Sequence, residues 1–356
     1  MTFFRKAVVP LALLAFAAIG CQSVATTSAK LRNQEGNYEM AIELAREGLA
    51  ANPLDAEAYF QLGVSYSHLD SVAKAYDHFV KAAELDPKPQ RQRDVENNIQ
   101  HNFAKHYKLG QSAFNRKDYE NAATEFGLSS AADPTQAVAY YNLGVAYKFL
   151  AKDDPSYHDR AIGAMDKVLE LSNPSESNYV KALQVAGREL VEVGREQEAI
   201  ERFSRLIEED PTSYGVIEDI GSDLLSQKKW KGAAVFLKMA AEARNKIDAG
   251  SFPLYYNIGV ALYNLREEDP NKVTEAIAYY EKALTIQEDE PQTILNIAVA
   301  YVAVEQYRDA SDWLEKYTSI SSTDPNGWRL LARCYSEMGD KDKARDALAR
   351  FEALRQ

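Results

Sequence analysis

Apolar residues recur along most of this chain with the spacing of short amphipathic helices. Residues 56–89 show the pattern clearly. Their apolar positions fall into two sets with helical spacing, Tyr59, Leu62 and Tyr66, followed by Ala75, Phe79 and Ala82. Pro87 ends the second set, because proline lacks the backbone N–H and clashes with the preceding turn. The segment therefore predicts two antiparallel helices joined by a short turn.

The same two-helix pattern recurs along residues 30–356 with a period typical of the tetratricopeptide repeat, about 34 residues. Eight units are clear, and a ninth precedes them with a degenerate first helix near Lys30 to Glu35. The chain thus resembles the tetratricopeptide-repeat family. This resemblance implies an all-α fold, a right-handed superhelical solenoid of antiparallel helix pairs that serves as a binding scaffold.

The predicted repeats lie near residues 30–55, 56–89, 103–136, 137–174, 180–213, 214–247, 252–290, 291–324 and 325–356. A stretch near residues 90–102 contains no proline, so we interpret it as a helical insertion that lengthens a first helix. Two repeats share an enlarged turn between their helices, Lys152–Ser156 and Glu267–Asn271. Two explanations remain open. The matching turns come from an old duplication, or they are paired contact points on one edge of the array.

The first residues have the pattern of a bacterial export signal. Arg5 and Lys6 precede an apolar stretch, Ala7 to Ile19, that is too short for a comfortable membrane span. The following Gly20 and Cys21 complete a sequence that resembles the bacterial lipobox. This resemblance implies that residues 1–20 are a lipoprotein signal peptide and that Cys21 is acylated. Residues 21–29 would then be the lipidated cysteine and a short polar tether.

Gln22 follows the predicted lipidation site, and the family's sorting rule retains lipoproteins with Asp there at the inner membrane. The resemblance therefore implies an outer-membrane lipoprotein that faces the periplasm. Two or more acyl chains would hold such a protein stably on the membrane. The alternatives are an ordinary signal peptide and an uncleaved anchor, with Cys21 incidental.

Composition and motifs give no sign of chemistry. The net charge of −12 disfavours nucleic acid as a partner, because phosphate binding needs clustered Lys and Arg. The sequence contains no metalloprotease, P-loop, dinucleotide-binding or nucleophile-elbow motif, so we expect neither an enzyme nor a cofactor. The five histidines are not spaced as helical metal ligands, so no metal site is expected. Cys334 lies inside a first helix and is expected to be a small core residue.

In the family, side chains of the first helices line a concave groove, and the resemblance implies which side chains would contact a partner here. These predicted groove residues are Phe60, Tyr107, Tyr141, Asn142, Tyr256, Asn257, Tyr263 and Asn296. The aromatic rings would give contact area, and the amides would pair with a peptide backbone. The alternative is that the aromatic residues pack within and between repeats. The family's clamp for a terminal carboxylate, Lys and Asn four residues apart, is absent at Tyr141 and Val145.

These observations lead to one functional hypothesis and two alternatives. The hypothesis is a lipid-anchored cell-envelope scaffold that binds a protein or peptide partner and assembles an envelope, pilus or secretion machine. The first alternative is an oligomerising structural or regulatory subunit without a peptide groove. The second is a module that binds peptidoglycan or another glycan. The sequence specifies neither the partner nor the oligomeric state.

Overall fold

A computed structural model describes residues 23–247 and 250–355 of the chain. These residues form 18 α-helices and one 3-10 helix, and they contain no β-strand. The prediction of an all-α array of antiparallel helix pairs is therefore confirmed. The helices divide into two compact units between Leu171 and Ser172. The predicted signal peptide and Cys21 lie outside the described residues.

Odd-numbered helices are the first helices of successive pairs, and even-numbered helices are the second. The first unit contains α1 (Val24–Gln34), α2 (Tyr38–Ala51), α3 (Ala56–His68), α4 (Val72–Leu85), α5 (Pro89–Asn115), α6 (Tyr119–Ala132), α7 (Ala137–Leu150) and α8 (Tyr157–Leu171). The second contains α9 (Ser177–Glu192), α10 (Glu196–Glu209), the 3-10 helix Pro211–Ser213, α11 (Tyr214–Ser226), α12 (Trp230–Asn245), α13 (Phe252–Asn264), α14 (Lys272–Leu284), α15 (Pro291–Ala303), α16 (Tyr307–Ile320), α17 (Pro325–Glu337) and α18 (Lys341–Ala353). None of these helices is both long enough and apolar enough to cross a bilayer.

Large side chains of the second helices fill the space beside small residues of the first helices. The Phe79 ring of α4 is fully buried against Gly63 of α3, where an added Cβ would lie 2.5 Å from Phe79 Cδ1. The Phe203 ring of α10 packs against Gly187 of α9 in the same way, with an added Cβ 2.5 Å from Phe203 Cε1. The small residue thus lets the two helices of a pair approach closely, as the sequence pattern predicted.

Helix α1 begins earlier than the sequence predicted. The predicted polar tether is helical from Val24, because Ser23 caps the helix and accepts a hydrogen bond from Thr26 N. Thr26 is fully buried, and its hydroxyl donates to Asp55 Oδ2 at 2.7 Å. Further along α1, Asn33 Nδ2 donates to Gln61 Oε1 of α3 at 2.8 Å. The prediction of a tether up to residue 29 is therefore wrong for residues 24–29, which belong to α1 and include the buried Thr26.

The residues between the second and third predicted repeats lengthen a helix instead of forming a loop. α5 is a single helix of 27 residues. Its first half packs in register with α3, since Arg91 pairs with Glu57 and the Asn102 side-chain amide donates to the Ser67 hydroxyl. The members of these pairs are 34 and 35 residues apart, which is the spacing of one repeat. This half of α5 therefore occupies the place of a complete first helix.

The second half of α5 occupies the place of the first helix of the next helix pair. Asn142 of α7 donates from Nδ2 to Tyr107 OH of α5 at 3.0 Å, again 35 residues apart. Two successive first helices are thus fused into one, and the second helix that would separate them is absent. The repeat positions that would face that helix hold exposed polar residues, Arg93, Glu96, Asn97 and Gln100.

The two enlarged turns have the same backbone structure. Asp154 N donates to Leu150 O at 3.0 Å, and Asp269 N donates to Leu265 O at 2.9 Å. Each aspartate then accepts a hydrogen bond from the backbone N–H two residues later, at 2.9 Å in the first turn and 3.0 Å in the second. The shared sequence therefore encodes one turn geometry, used once in each unit.

Candidate functional site

The fifth, sixth, ninth and twelfth positions of each repeat lie on its first helix, and in both units a sixth-position asparagine donates to a fifth-position tyrosine of the preceding first helix. We call the surface formed by these positions the first-helix face. In the first unit it includes Phe60 of α3, Tyr107 of α5, and Tyr141 and Asn142 of α7. In the second unit it includes Tyr256, Asn257, Val260 and Tyr263 of α13, Leu295, Asn296, Val299 and Val302 of α15, and Arg329 and Arg333 of α17.

In the first unit, the structure brings the predicted residues Tyr107 and Asn142 together. The Asn142 amide donates to the Tyr107 hydroxyl at 3.0 Å and to Val138 O at 2.9 Å, which uses both of its hydrogens. The Tyr107 ring also stacks on Phe103, with 5.5 Å between ring centroids. Tyr141 is half-buried beside them, and burial raises the pKa of its hydroxyl. The Asn142 carboxamide oxygen is the atom that stays available to a ligand.

Phe60 of α3 does not present an open ring to a partner. The Arg91 guanidinium of α5 lies over the Phe60 ring, 4.4 Å from its centroid, and pairs with Glu57. On its other side Phe60 packs on Phe79, with 5.5 Å between centroids. Phe60 as a partner contact stays a prediction, and any partner there would meet the Arg91 guanidinium that the fused helix α5 supplies to that position.

In the second unit, Tyr256 and Asn296 repeat the arrangement of the first unit. Asn296 Nδ2 of α15 donates to Tyr256 OH of α13 at 3.3 Å, and Asn296 Oδ1 accepts from Gln292 Nε2 at 2.9 Å. The Tyr256 ring stacks on Phe252 at 5.9 Å between centroids. The Tyr263 ring lies 4.5 Å from the Arg266 guanidinium. Four of the five predicted aromatic residues, Phe60, Tyr107, Tyr256 and Tyr263, thus make ring contacts within the chain.

Asn257 differs from the other two asparagines because it forms no hydrogen bond within residues 23–247 and 250–355. In the preceding first helix, α11, the fifth position holds Glu218 instead of tyrosine. The Glu218 carboxylate lies 3.6 Å from an Arg244 nitrogen of α12. Both the donor and the acceptor of the Asn257 amide therefore remain available on the first-helix face.

The predicted residues belong to two separate sets. Phe60, Tyr107, Tyr141 and Asn142 lie in the first unit, and Tyr256, Asn257, Tyr263 and Asn296 lie in the second. Each set forms contacts of its own, so a ligand shared by both remains a prediction.

Sequence reasoning missed two residues of the first-helix face, Arg329 and Arg333 of α17. Both side chains are exposed, and they occupy the positions that Leu295 and Val299 hold one repeat earlier. The signal was present in the sequence, since the 34-residue register places these cations after two repeats with apolar residues at the same positions.

Other candidate groups have structural explanations. Cys334 is fully buried in α17, and burial raises the pKa of its thiol to about 11, which confirms the prediction of a core residue. His106 is buried with Nδ1 2.8 Å from Glu125 Oε2. In the part of the chain that the structure describes, no group of three or more His, Cys, Asp and Glu side chains is arranged to hold a metal ion.

The described helices define a class of protein, an array of helix pairs whose first helices share one face within each unit. Two protein-family models match the chain, "Tetratricopeptide repeat" at residues 27–88 and "Anaphase-promoting complex, cyclosome, subunit 3" at residues 269–351. With the helix pairs found in both units, these matches support a protein of the tetratricopeptide-repeat type. Proteins of this family mediate protein–protein interactions.

Curated relatives share parts of the chain. The β-barrel assembly-enhancing protease of Yersinia pestis is 42% identical over 84 residues, 24% of this chain and 17% of that protein. The BBSome complex member BBS4 of Bos taurus is 23% identical over 312 residues, 88% of this chain and 47% of that protein. The TPR repeat-containing protein MJ1428 of Methanocaldococcus jannaschii is 23% identical over 343 residues, 89% of this chain and 57% of that protein. The chain therefore spans less than two thirds of each of these relatives.

Solved structures with helical repeats also match. The C-terminal part of a TPR repeat-containing protein from Cytophaga hutchinsonii has a TM-score of 0.42 and 18% identity, covering 70% of this chain and 95% of that one. The TPR domain of P58(IPK) has a TM-score of 0.30 and 13% identity, covering 89% of this chain and 98% of that one.

Proposed function

We propose that this protein is a non-catalytic, lipid-anchored scaffold of the bacterial cell envelope that binds a protein partner through the first-helix face. The face of the second unit carries this proposal. Tyr256, Val260, Leu295 and Val299 are half-buried there and form an apolar surface next to Asn257. An extended chain laid across this surface buries its apolar side chains, and its backbone hydrogen-bonds to the free amide.

The envelope address rests on the first 22 residues. A basic start, a short apolar stretch and the lipobox-like end at Cys21 support cleavage and acylation. Metabolic labelling with a fatty acid tests the anchor. We expect label on the wild type and none on Cys21→Ser, whereas equal labelling of both proteins would refute the lipid anchor.

Site-specific photo-crosslinking in living cells tests the binding face. A benzoylphenylalanine at Tyr263 lies on the first-helix face, and one at Trp313 of α16 is a matched control, because both native side chains are half-buried aromatics. We expect one partner protein to crosslink at Tyr263 and not at Trp313. Equal crosslinking at both positions would contradict the proposal. Crosslinks only to a second copy of the chain would favour the oligomerising alternative.

A further inference from the structure

The first-helix face of the second unit changes from apolar to cationic along its rows. One row runs through the fifth repeat positions, Tyr256, Leu295 and Arg329, and a second row runs through the ninth positions, Val260, Val299 and Arg333. The hydrogen bond from Asn296 to the Tyr256 hydroxyl, 3.3 Å long, holds the first two helices of these rows side by side. Leu295 and Val302 of α15 pack on the same apolar cluster as Leu330 of α17, which brings the third helix alongside.

The two arginines are exposed, and neither guanidinium forms an ion pair or a hydrogen bond with any described residue. The core side of α17 is filled by other residues, Leu331, Cys334 and Tyr335. Arg329 and Arg333 also stand one helical turn apart, where two like charges disfavour the helix. The fold therefore maintains an uncompensated pair of cations at this place.

We propose that this end of the first-helix face binds an extended acidic segment of the partner protein. Apolar side chains of the segment lie on Tyr256, Leu295 and Val299, and its carboxylates pair with Arg329 and Arg333. A guanidinium binds a carboxylate through two parallel hydrogen bonds, which fixes the position of the acidic group. This inference rests on the proposed function and specifies the chemistry of the partner.

Charge complementarity supports an acidic occupant at this particular place. The chain has a net charge of −12, so its surface as a whole repels an acidic partner. Two unpaired arginines beside an apolar surface attract the carboxylates of the segment locally. They therefore fix the position of its acidic end along the face. Asn257 lies at the other end of the rows and remains available to the segment's backbone.

Helix packing predicts the spacing of the recognised side chains. Packed helices lie about 8–10 Å apart, and an extended chain advances about 3.3 Å per residue. One step from a first helix to the next therefore takes about three residues of ligand. The expected segment has an apolar residue, a second one about three residues further, and acidic residues about three residues beyond it.

Fluorescence anisotropy with synthetic peptides tests this inference on the full-length purified protein. The acidic probe has the sequence Leu-Ser-Ser-Leu-Ser-Ser-Glu-Glu, and the basic probe replaces both glutamates by lysine. Each is also made in reverse order, so that either direction of binding is detected. We expect the acidic probe to bind at least about tenfold more tightly than the basic one, with weaker binding at higher salt.

Charge reversal provides the decisive comparison. We expect R329E/R333E to reverse the preference to the basic probe. Lys341→Glu with Arg345→Glu makes the same change in net charge at exposed positions of α18 and should leave the preference unchanged. Equal affinities of the wild type for both probes, binding of neither, or an unchanged preference in R329E/R333E would overturn the inference. If the crosslink at Tyr263 persists in R329E/R333E, the proposed function stands and the acidic segment is wrong.

Discussion

Replacing Arg91 by alanine tests whether the first half of α5 is fastened to α3 as an additional first helix. The side chains of Arg91 and Glu57 are only 12% and 10% exposed, so their ion pair is largely buried. The guanidinium also lies 4.4 Å from the centroid of the Phe60 ring, and its Nε is 3.8 Å from an Asp86 carboxylate oxygen. One side chain therefore joins α5 to both the polar and the aromatic residues of α3.

The surroundings of Glu57 set the size of the effect. Without Arg91, the buried carboxylate keeps Gln61 Nε2 at 2.8 Å and Lys30 Nζ at 3.8 Å. Removing one partner of a buried ion pair costs about 3–5 kcal/mol, and losing a cation–π contact costs about 0.5–1 kcal/mol. Because Gln61 and Lys30 compensate in part, we expect Arg91→Ala to destabilise this region by about 2–4 kcal/mol.

Arg93→Ala is the matched control, because Arg93 is on the same helix and exposed. It should cost less than about 0.5 kcal/mol. Arrays of repeats open in segments, so the assay must resolve position along the chain. Hydrogen exchange followed by mass spectrometry should show faster exchange in α3 and the first half of α5, with α7 and α8 unchanged. The reasoning fails if Arg91→Ala behaves like Arg93→Ala, or if the loss of protection is uniform across the first unit.

Two further predictions concern packing and pH. Gly63→Ala should destabilise the protein by about 1–3 kcal/mol, because the methyl group would meet the buried Phe79 ring. Gly127→Ala, where an added Cβ meets nothing within 4 Å, should stabilise by about 0.5–1 kcal/mol, and urea unfolding that ranks the two variants equally would contradict this. Hydrogen bonds from Thr212 and Ser213 hold the pKa of Asp210 below its usual value. The stability that Asp210 contributes is therefore present above its unfolded pKa of about 4 and is lost as the pH falls through the lowered folded value. Asp210→Asn should cost about 1 kcal/mol near neutral pH, because hydrogen bonds to a charged acceptor are stronger than those to a neutral one. Thermal melts should show the difference shrinking with acidification, whereas a constant difference would refute it.

The helix pairs could be predicted because the residues that lock them together are periodic. A small residue such as Gly63 and a large one such as Phe79 recur at fixed repeat positions, and burial requires both types there. The start of α1 could not be predicted in this way. Thr26 is polar, and only the three-dimensional arrangement brings Asp55 within 2.7 Å of its hydroxyl. A buried polar residue whose partner is distant in sequence looks like a surface residue in the sequence alone.

The fused helix α5 was predictable as a helix but not as two successive first helices. Its first half lacks the small and aromatic residues of a standard first helix, because no second helix packs on that side. Exposed Arg93 and Glu96 stand there instead. The register with α3 is visible only through contacts such as that of the Asn102 amide with the Ser67 hydroxyl. Loss of a neighbouring helix thus removes the very residues by which a repeat is recognised.

In the candidate site, the sequence predicts the positions of the asparagines, but only the structure shows which of their amides are already hydrogen-bonded. Repeat register predicts Asn142, Asn257 and Asn296 at equivalent positions, and Asn142 and Asn296 have equivalent tyrosine partners. Their availability depends on the preceding first helix, where tyrosine satisfies two of the amides and Glu218 leaves Asn257 free. Register alone would have found the two arginines of α17, because their positions hold apolar residues in α13 and α15.

Packing constraints explain why variation on the first-helix face can carry specificity. In α17, Leu331, Cys334 and Tyr335 are buried, and changing them disturbs the contacts between helix pairs. Arg329 precedes these residues in sequence and Arg333 lies among them, but both side chains are exposed, so they can change with little effect on the fold. Each first helix thus combines a constrained core side with a free outer side. When several such helices stack, each contributes one apolar, amide or cationic residue to a row. The row selects partners by the order of their side chains. A single helix pair is too short for such selection.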